Sequence, residues 1–114
     1  MKEKIKVVIS NAQKSVKIPT GVRLLIRRCC NAVLTFEGFS EPAEISVTLV
    51  DDARIHELNK MHRNIDRSTD VLSFPLGEND VYDKNLETGA CLLGDIVISV
   101  ETAVRQAKEY GHTL

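Results

Sequence analysis

Leu92-Leu93-Gly94-Asp95-Ile96-Val97-Ile98-Ser99 is an apolar run interrupted by one glycine and one carboxylate. Its length and β-branched content read as a strand. Ser99 can cap the helix that follows, and Glu101 in the first turn suits the helix dipole. Val100, Ala103, Val104 and Ala107 form that helix's inner face, and Gly111 is expected to end it. Upstream, Val71 to Pro75 reads as a short strand closed by its proline. Residues 77–90, rich in Gly, Asn, Asp and Glu, form a surface loop between the two strands.

The N-terminal half repeats the strand-to-helix alternation twice. Lys4 to Ser10 places Ile5, Val7 and Ile9 on one side and lysines on the other, which suits an edge strand. From about Thr20 to Phe36 the period becomes helical, with Val22, Leu25, Ile26, Cys29 and Val33 as the inward stripe and Gly38 just past the end. Ala43 to Val50 alternates again, burying Ile45, Val47 and Leu49. Asp51 or Asp52 then caps a short helix with Ile55 and Leu58 facing in. The order β-α-β-α-β-β-α predicts an α/β (α+β) domain, with helices packed on a single mixed four-stranded sheet.

The chain has 114 residues, which fits one domain. A formal net charge of −1 excludes a generally basic nucleic-acid binder, so any RNA binding must come from a local patch. Cys29, Cys30 and Cys91 are odd in number and two are adjacent, a poor disulfide framework, so they are expected as reduced thiols in the cytoplasm. No apolar run suits a signal peptide or a membrane span.

The histidines do not suggest a metal site. His56 and His62 are six positions apart, roughly 240° around a helix, so one helix cannot aim both at one ion. His112 lies beyond a helix end. Arg63 closes the second helix and enters a polar loop, where it can hold a phosphate bidentately with Arg67 nearby. It can equally pair with Asp66 or Asp70 and pin the loop. Asp95 inside an apolar strand is either hydrogen-bonded to a turn or loop or lining a cleft, and Gly94 beside it admits another backbone or a ligand. Arg23, Arg27, Arg28 and Lys60 could extend a phosphate-tracking patch, or simply form solvated helix faces.

Asn59, Arg63, the run Thr69-Asp70-Val71-Leu72-Ser73-Phe74-Pro75 and the run Leu93 to Ser99 together resemble the YbeY family of rRNA-maturation endoribonucleases. The segment Gln106-Ala107-Lys108-Glu109-Tyr110-Gly111-His112 is similar to it as well. Asn64 stands where the family often has glycine, and Ser68 where it often has proline. The resemblance implies a metalloprotease-like fold and a zinc-dependent, single-strand-specific endoribonuclease that acts on rRNA precursors and the ribosome.

It also implies that Arg63 and Asp95 belong to the catalytic site, and Lys60 and Arg67 are expected as RNA contacts beside them. The family's metal motif has the form H-G-x-L-H-L-x-G-Y-D-H. Residues 1–114 are therefore expected to be a single incomplete YbeY-like domain that lacks this C-terminal helix, holds no metal and is inactive alone. Self-association through the surface so exposed is a further expectation. The alternatives are a non-catalytic RNA- or ribosome-binding module and a zinc metalloprotease-like hydrolase.

Overall fold

Parallel strands cannot be joined by a tight turn, so a chain alternating strands and helices builds its sheet through crossovers. The structure, a computed structural model, describes residues 5–36, 41–77 and 82–109. Its elements are β1 (Ile5–Asn11), α1 (Val22–Phe36), β2 (Ala43–Val50), α2 (Asp52–Arg63), β3 (Val71–Pro75), β4 (Cys91–Ser99) and α3 (Val100–Glu109). The sheet order is β1-β2-β4-β3. β1 and β4 run parallel to β2, and β3 pairs antiparallel with β4. The α+β order and the mixed four-stranded sheet are those the sequence predicts. β1 lies at an edge with Lys6 exposed, as its lysines suggest.

Alternation along the strands sorts the core onto two sides. Ile5, Val7, Ile45, Val47 and Leu49 face α1, joined by Ile96 and Ile98. Val50, Leu72 and Val97 face α2 and enclose its Ile55, with Leu58 and Phe74 at the margin. Val100 reaches the α1-side core, while α3 packs against α2 and β4.

The inward stripe of α1 differs from the sequence expectation. Ile26, Cys30 and Leu34 pack on the core, whereas Cys29 is exposed and Leu25 and Val33 are each 60% exposed. Apolar residues cover a broad arc of this helix, and the sheet takes only the i, i+4 row on one flank of it. Gly38 and Gly111, expected as helix ends, lie outside the described residues, as does part of the 77–90 loop.

Asp51 is the N-cap of α2, accepting from Arg54 N–H at 2.8 Å. Asp52 has a different task. Its Oδ1 accepts from the Ser99 hydroxyl at 2.6 Å and the Thr102 hydroxyl at 2.7 Å, and its Oδ2 accepts from Arg105 at 2.7 Å. Its own N–H donates to Glu101 Oε1 at 2.8 Å. These bonds join the first turns of α2 and α3. The hydrogen bond from Arg105 holds the Asp52 carboxyl at about 2, below its ordinary 3.8; burial opposes this, and the Ser99 and Thr102 hydroxyls assist.

Candidate RNA-binding site

The site is organised by the way α2 ends. Asn64 adopts the left-handed conformation, φ 58° and ψ 33°, and its N–H donates to the carbonyls of Asn59 and Lys60. Asparagine tolerates this conformation better than most residues, and glycine tolerates it best. Ile65 N–H donates to Asn59 O at 3.3 Å, closing the turn. Asn59 is 1% exposed, and its amide donates from Nδ2 to Arg67 O at 3.0 Å. One buried side chain thus fastens the loop that follows Arg63 and carries Arg67. Asn59 Oδ1 is buried without a partner.

The basic residues of this segment divide into paired and unpaired. His56 Nε2 lies 2.7 Å from Asp66 Oδ1, and Lys60 Nζ lies 4.0 Å from Asp66 Oδ2. The hydrogen bond to His56 and the charge of Lys60 lower the Asp66 carboxyl below its ordinary value. Asp70 accepts from Val71 N–H at 2.9 Å and from the Thr69 hydroxyl at 3.2 Å. Burial pushes its carboxyl up, but hydrogen bonds from Val71, its own N–H, Thr69 and Gln106 outweigh it and the net shift is down. Asp66 and Asp70 are therefore engaged elsewhere, and neither pairs with Arg63. Among the described residues the side chains of Arg63 and Arg67 have no hydrogen bond or ion pair, and both are exposed.

Asp95 lies on the same side of the sheet as the end of α2. The register Val8↔Ser46↔Asp95↔Phe74 forms one row across all four strands. Phe74 belongs to the α2-side cluster, and His62 packs against it. Arg63 is the next residue. Asp95 is exposed although it sits on an inner strand, and its carboxylate bonds to no described residue. Of the two possibilities left by the sequence, no bond to a turn or loop is present among the described residues, and Asp95 borders the open slot beside Gly94.

Gly94 has a structural reason. A Cβ there would lie 2.8 Å from the Phe74 carbonyl oxygen and 3.3 Å from Pro75 Cα. The close approach it permits is that of β3, beside a bulge at Leu93 where the β2–β4 register shifts.

Among the described residues no three His, Cys, Asp or Glu side chains are grouped to hold a metal ion. His56 is engaged with Asp66, His62 packs on Phe74, and His112 lies outside the described residues. The described side chains do not fit a zinc site. The three cysteines are free thiols. Burial pushes Cys30 and Cys91 up, Cys91 further through Glu41 at 3.4 Å, so neither is an activated nucleophile. No helix among the described residues is long and apolar enough to cross a membrane.

The family model described as Endoribonuclease YbeY matches residues 8–114. The chain belongs to the YbeY endoribonuclease family. Among curated relatives, it is 44% identical over 108 residues to "Endoribonuclease YbeY" of Pelotomaculum thermopropionicum, covering 95% of this chain and 70% of the relative. It is 51% identical over 100 residues to the protein of that name from Moorella thermoacetica, covering 84% and 64%. The solution structure of TM1509 from Thermotoga maritima superposes with a TM-score of 0.54 at 27% identity, covering 94% of this chain and 60% of that one. The chain thus spans about two thirds of the length of the YbeY relatives it matches.

Sequence reasoning placed Arg63, Arg67, Lys60 and Asp95 in the site, and the fold brings all four to the α2 side or to the loop that leaves it. Lys60 alone is within ion-pair distance of an acid. The sequence reading cited Asn59 for the resemblance and weighed His62 only as a metal ligand; what it missed is that these two support the site. A polar residue at an inward helical position, Asn59 one turn after Ile55 on the buried face, was the available signal.

Proposed function

We propose that this chain supplies the phosphate-holding side of a single-strand-specific endoribonuclease of the YbeY type, acting in the cytoplasm on rRNA precursors during ribosome maturation and quality control. The observation that carries this reading is the pair of unpaired guanidinium groups, Arg63 at the end of α2 and Arg67 on the following loop, which buried Asn59 fastens. An unpartnered arginine can grip a phosphodiester bidentately without first breaking an ion pair. Asp95, also unpaired and on the same side, can orient a ribose hydroxyl or an attacking water by hydrogen bonding. Lys60, already near Asp66, adds positive potential at the margin.

Zinc dependence enters this proposal from the family resemblance. The described side chains do not converge as a zinc ligand set, so their chemistry is binding and orientation of the RNA. In this proposal the 114-residue chain on its own binds RNA without cutting it and without stoichiometric zinc. One zinc per chain by elemental analysis, or cleavage of a single-stranded RNA, contradicts this.

The test of the carrying observation is Arg63→Ala. RNA affinity, read by fluorescence anisotropy, should fall about tenfold, the scale of one charge-assisted contact. Stability should change by less than about 0.5 kcal/mol, because the side chain has no partner to lose. Equal losses of affinity and stability would assign Arg63 a structural role instead.

A second reading, a non-catalytic RNA- or ribosome-binding module, draws on the same unpaired arginines. Cleavage-free RNA binding by the native gene product would select it. Self-association belongs with either reading, and Leu25, Val33 and Phe36 exposed on α1 offer it apolar surface. Sedimentation equilibrium tests it.

A further inference from the structure

β3 is the outer strand on its side of the sheet, and what its free edge offers is sparse. Leu76 N–H donates to Leu93 O at 3.1 Å, and Ser99 N–H donates to Asp70 O at 2.8 Å. Antiparallel pairing alternates, so the even-numbered residues turn their peptide groups toward β4, while those of Val71, Ser73 and Pro75 point away from the sheet. Val71 N–H is taken by Asp70 Oδ1 at 2.9 Å. Pro75 has no N–H. Ser73 thus keeps the one outward donor of this strand, next to its own outward carbonyl.

An open slot of about 220 Å³ adjoins this position; Ser73, Pro75, Leu93, Ile45 and Ile96 line it, and the cross-strand pair Phe74 and Asp95 borders it together with Gly94. Ile45 and Ile96 belong to the α1-side core, so the slot lies under β3. On the other side of the same strand Phe74 carries His62, and Arg63 follows.

A docking peptide strand needs donors and acceptors repeated at every second residue of the edge. Along β3 one donor is capped and another does not exist. A nucleobase needs a single donor–acceptor pair and an apolar surface for its ring. The unpaired Arg63 and Arg67 complement a polyanion, which also favours RNA over a peptide.

The geometry points to a nucleobase station at Ser73: single-stranded RNA crosses the edge of β3, one base enters the slot with its polar edge on Ser73 N–H and C=O, and Arg63 and Arg67 hold the adjoining backbone. This rests on the RNA reading above and adds to it a place where a base, and not only phosphate, is recognised.

The test compares a labelled single-stranded RNA octamer with an octamer of abasic riboses, by anisotropy on the 114-residue chain. The intact octamer should bind about tenfold tighter, the scale of one stacked base. Ser73→Pro removes the outward N–H at a position facing solvent and should abolish that difference. Arg63→Ala should weaken both octamers alike. If Ser73→Pro fails to fold by circular dichroism, the wild type decides: each nucleoside 5′-monophosphate is titrated against the 15N-labelled chain, and the Ser73 amide should shift with at least one.

Equal binding of the two octamers overturns the base station and leaves the phosphate reading standing. No binding of either overturns both. A Ser73 amide that ignores all four nucleotides but shifts with an extended hexapeptide assigns the edge to a protein strand instead.

Discussion

His62 packs edge-on against Phe74, with ring centroids 5.1 Å apart and planes at 68°. Phe74 is the cross-strand partner of Asp95, so this contact sets the end of α2 above the row that carries the carboxylate. Edge-to-face pairs contribute about 0.5–1.5 kcal/mol beyond the area they bury. Phe74→Leu keeps the apolar volume but loses the ring contact. It should cost about 1 kcal/mol in urea denaturation and weaken RNA binding several-fold by releasing Arg63 from its position. A loss of stability with unchanged RNA affinity would show that the ring pair does not position Arg63.

Asn59→Ala should damage the loop beside the site. It removes the amide that holds Arg67 O and leaves that carbonyl without its protein donor. A cost of about 2 kcal/mol is expected for a lost buried hydrogen bond and its cavity. Amide exchange of residues 64–70 should accelerate in the same variant, because the loop then loses its buried side-chain anchor on α2. Unchanged exchange there would place the anchor elsewhere.

Acid should weaken the joint between α2 and α3. The folded Asp52 carboxyl titrates at about 2, below its ordinary 3.8, so the unfolded chain binds more protons through that interval. The stabilisation is fully present above the ordinary value and is lost as pH falls from 3.8 toward 2. Asp66 and Asp70 shift in the same direction, so the comparison must be with Asp52→Asn. The variant's urea midpoint should vary less steeply with pH across this interval. Identical slopes would mean the network confers no pH dependence.

Gly94→Ala should push β3 away from β4. The added methyl meets backbone, the Phe74 carbonyl at 2.8 Å, and backbone cannot swing aside as a side chain can. A loss of about 1–3 kcal/mol is expected, as for other overpacked positions. The amide resonances of Phe74 and Leu76 should move most. A neutral outcome would show that the edge strand is free to shift.

The chain's periodicities were enough to read the element order, because period 2 and period 3.6 demand different backbones. Asp51 as a cap and Ser99 as the start of α3 were legible from residue type and position. The face of α1 was not. Leu25 and Ile26 are adjacent and equally apolar, and only the placement of the helix over the sheet selects Ile26. That Arg63 is left unpaired was equally illegible: Asp66 and Asp70 are close in sequence, but the fold engages them with His56, Lys60, Thr69 and the backbone.

The residues alone determined the strands, the helices, the family they resemble and the positions where an arginine and an aspartate stand out from their surroundings. These are local properties, set by side-chain type and spacing. Tertiary structure decided that the end of α2 and the Asp95 row share one side of the sheet, that Asn59 anchors the loop, and that β3 keeps a single outward donor at Ser73. Those depend on which strands become neighbours and in what register, and register is settled by contacts between segments far apart in the chain.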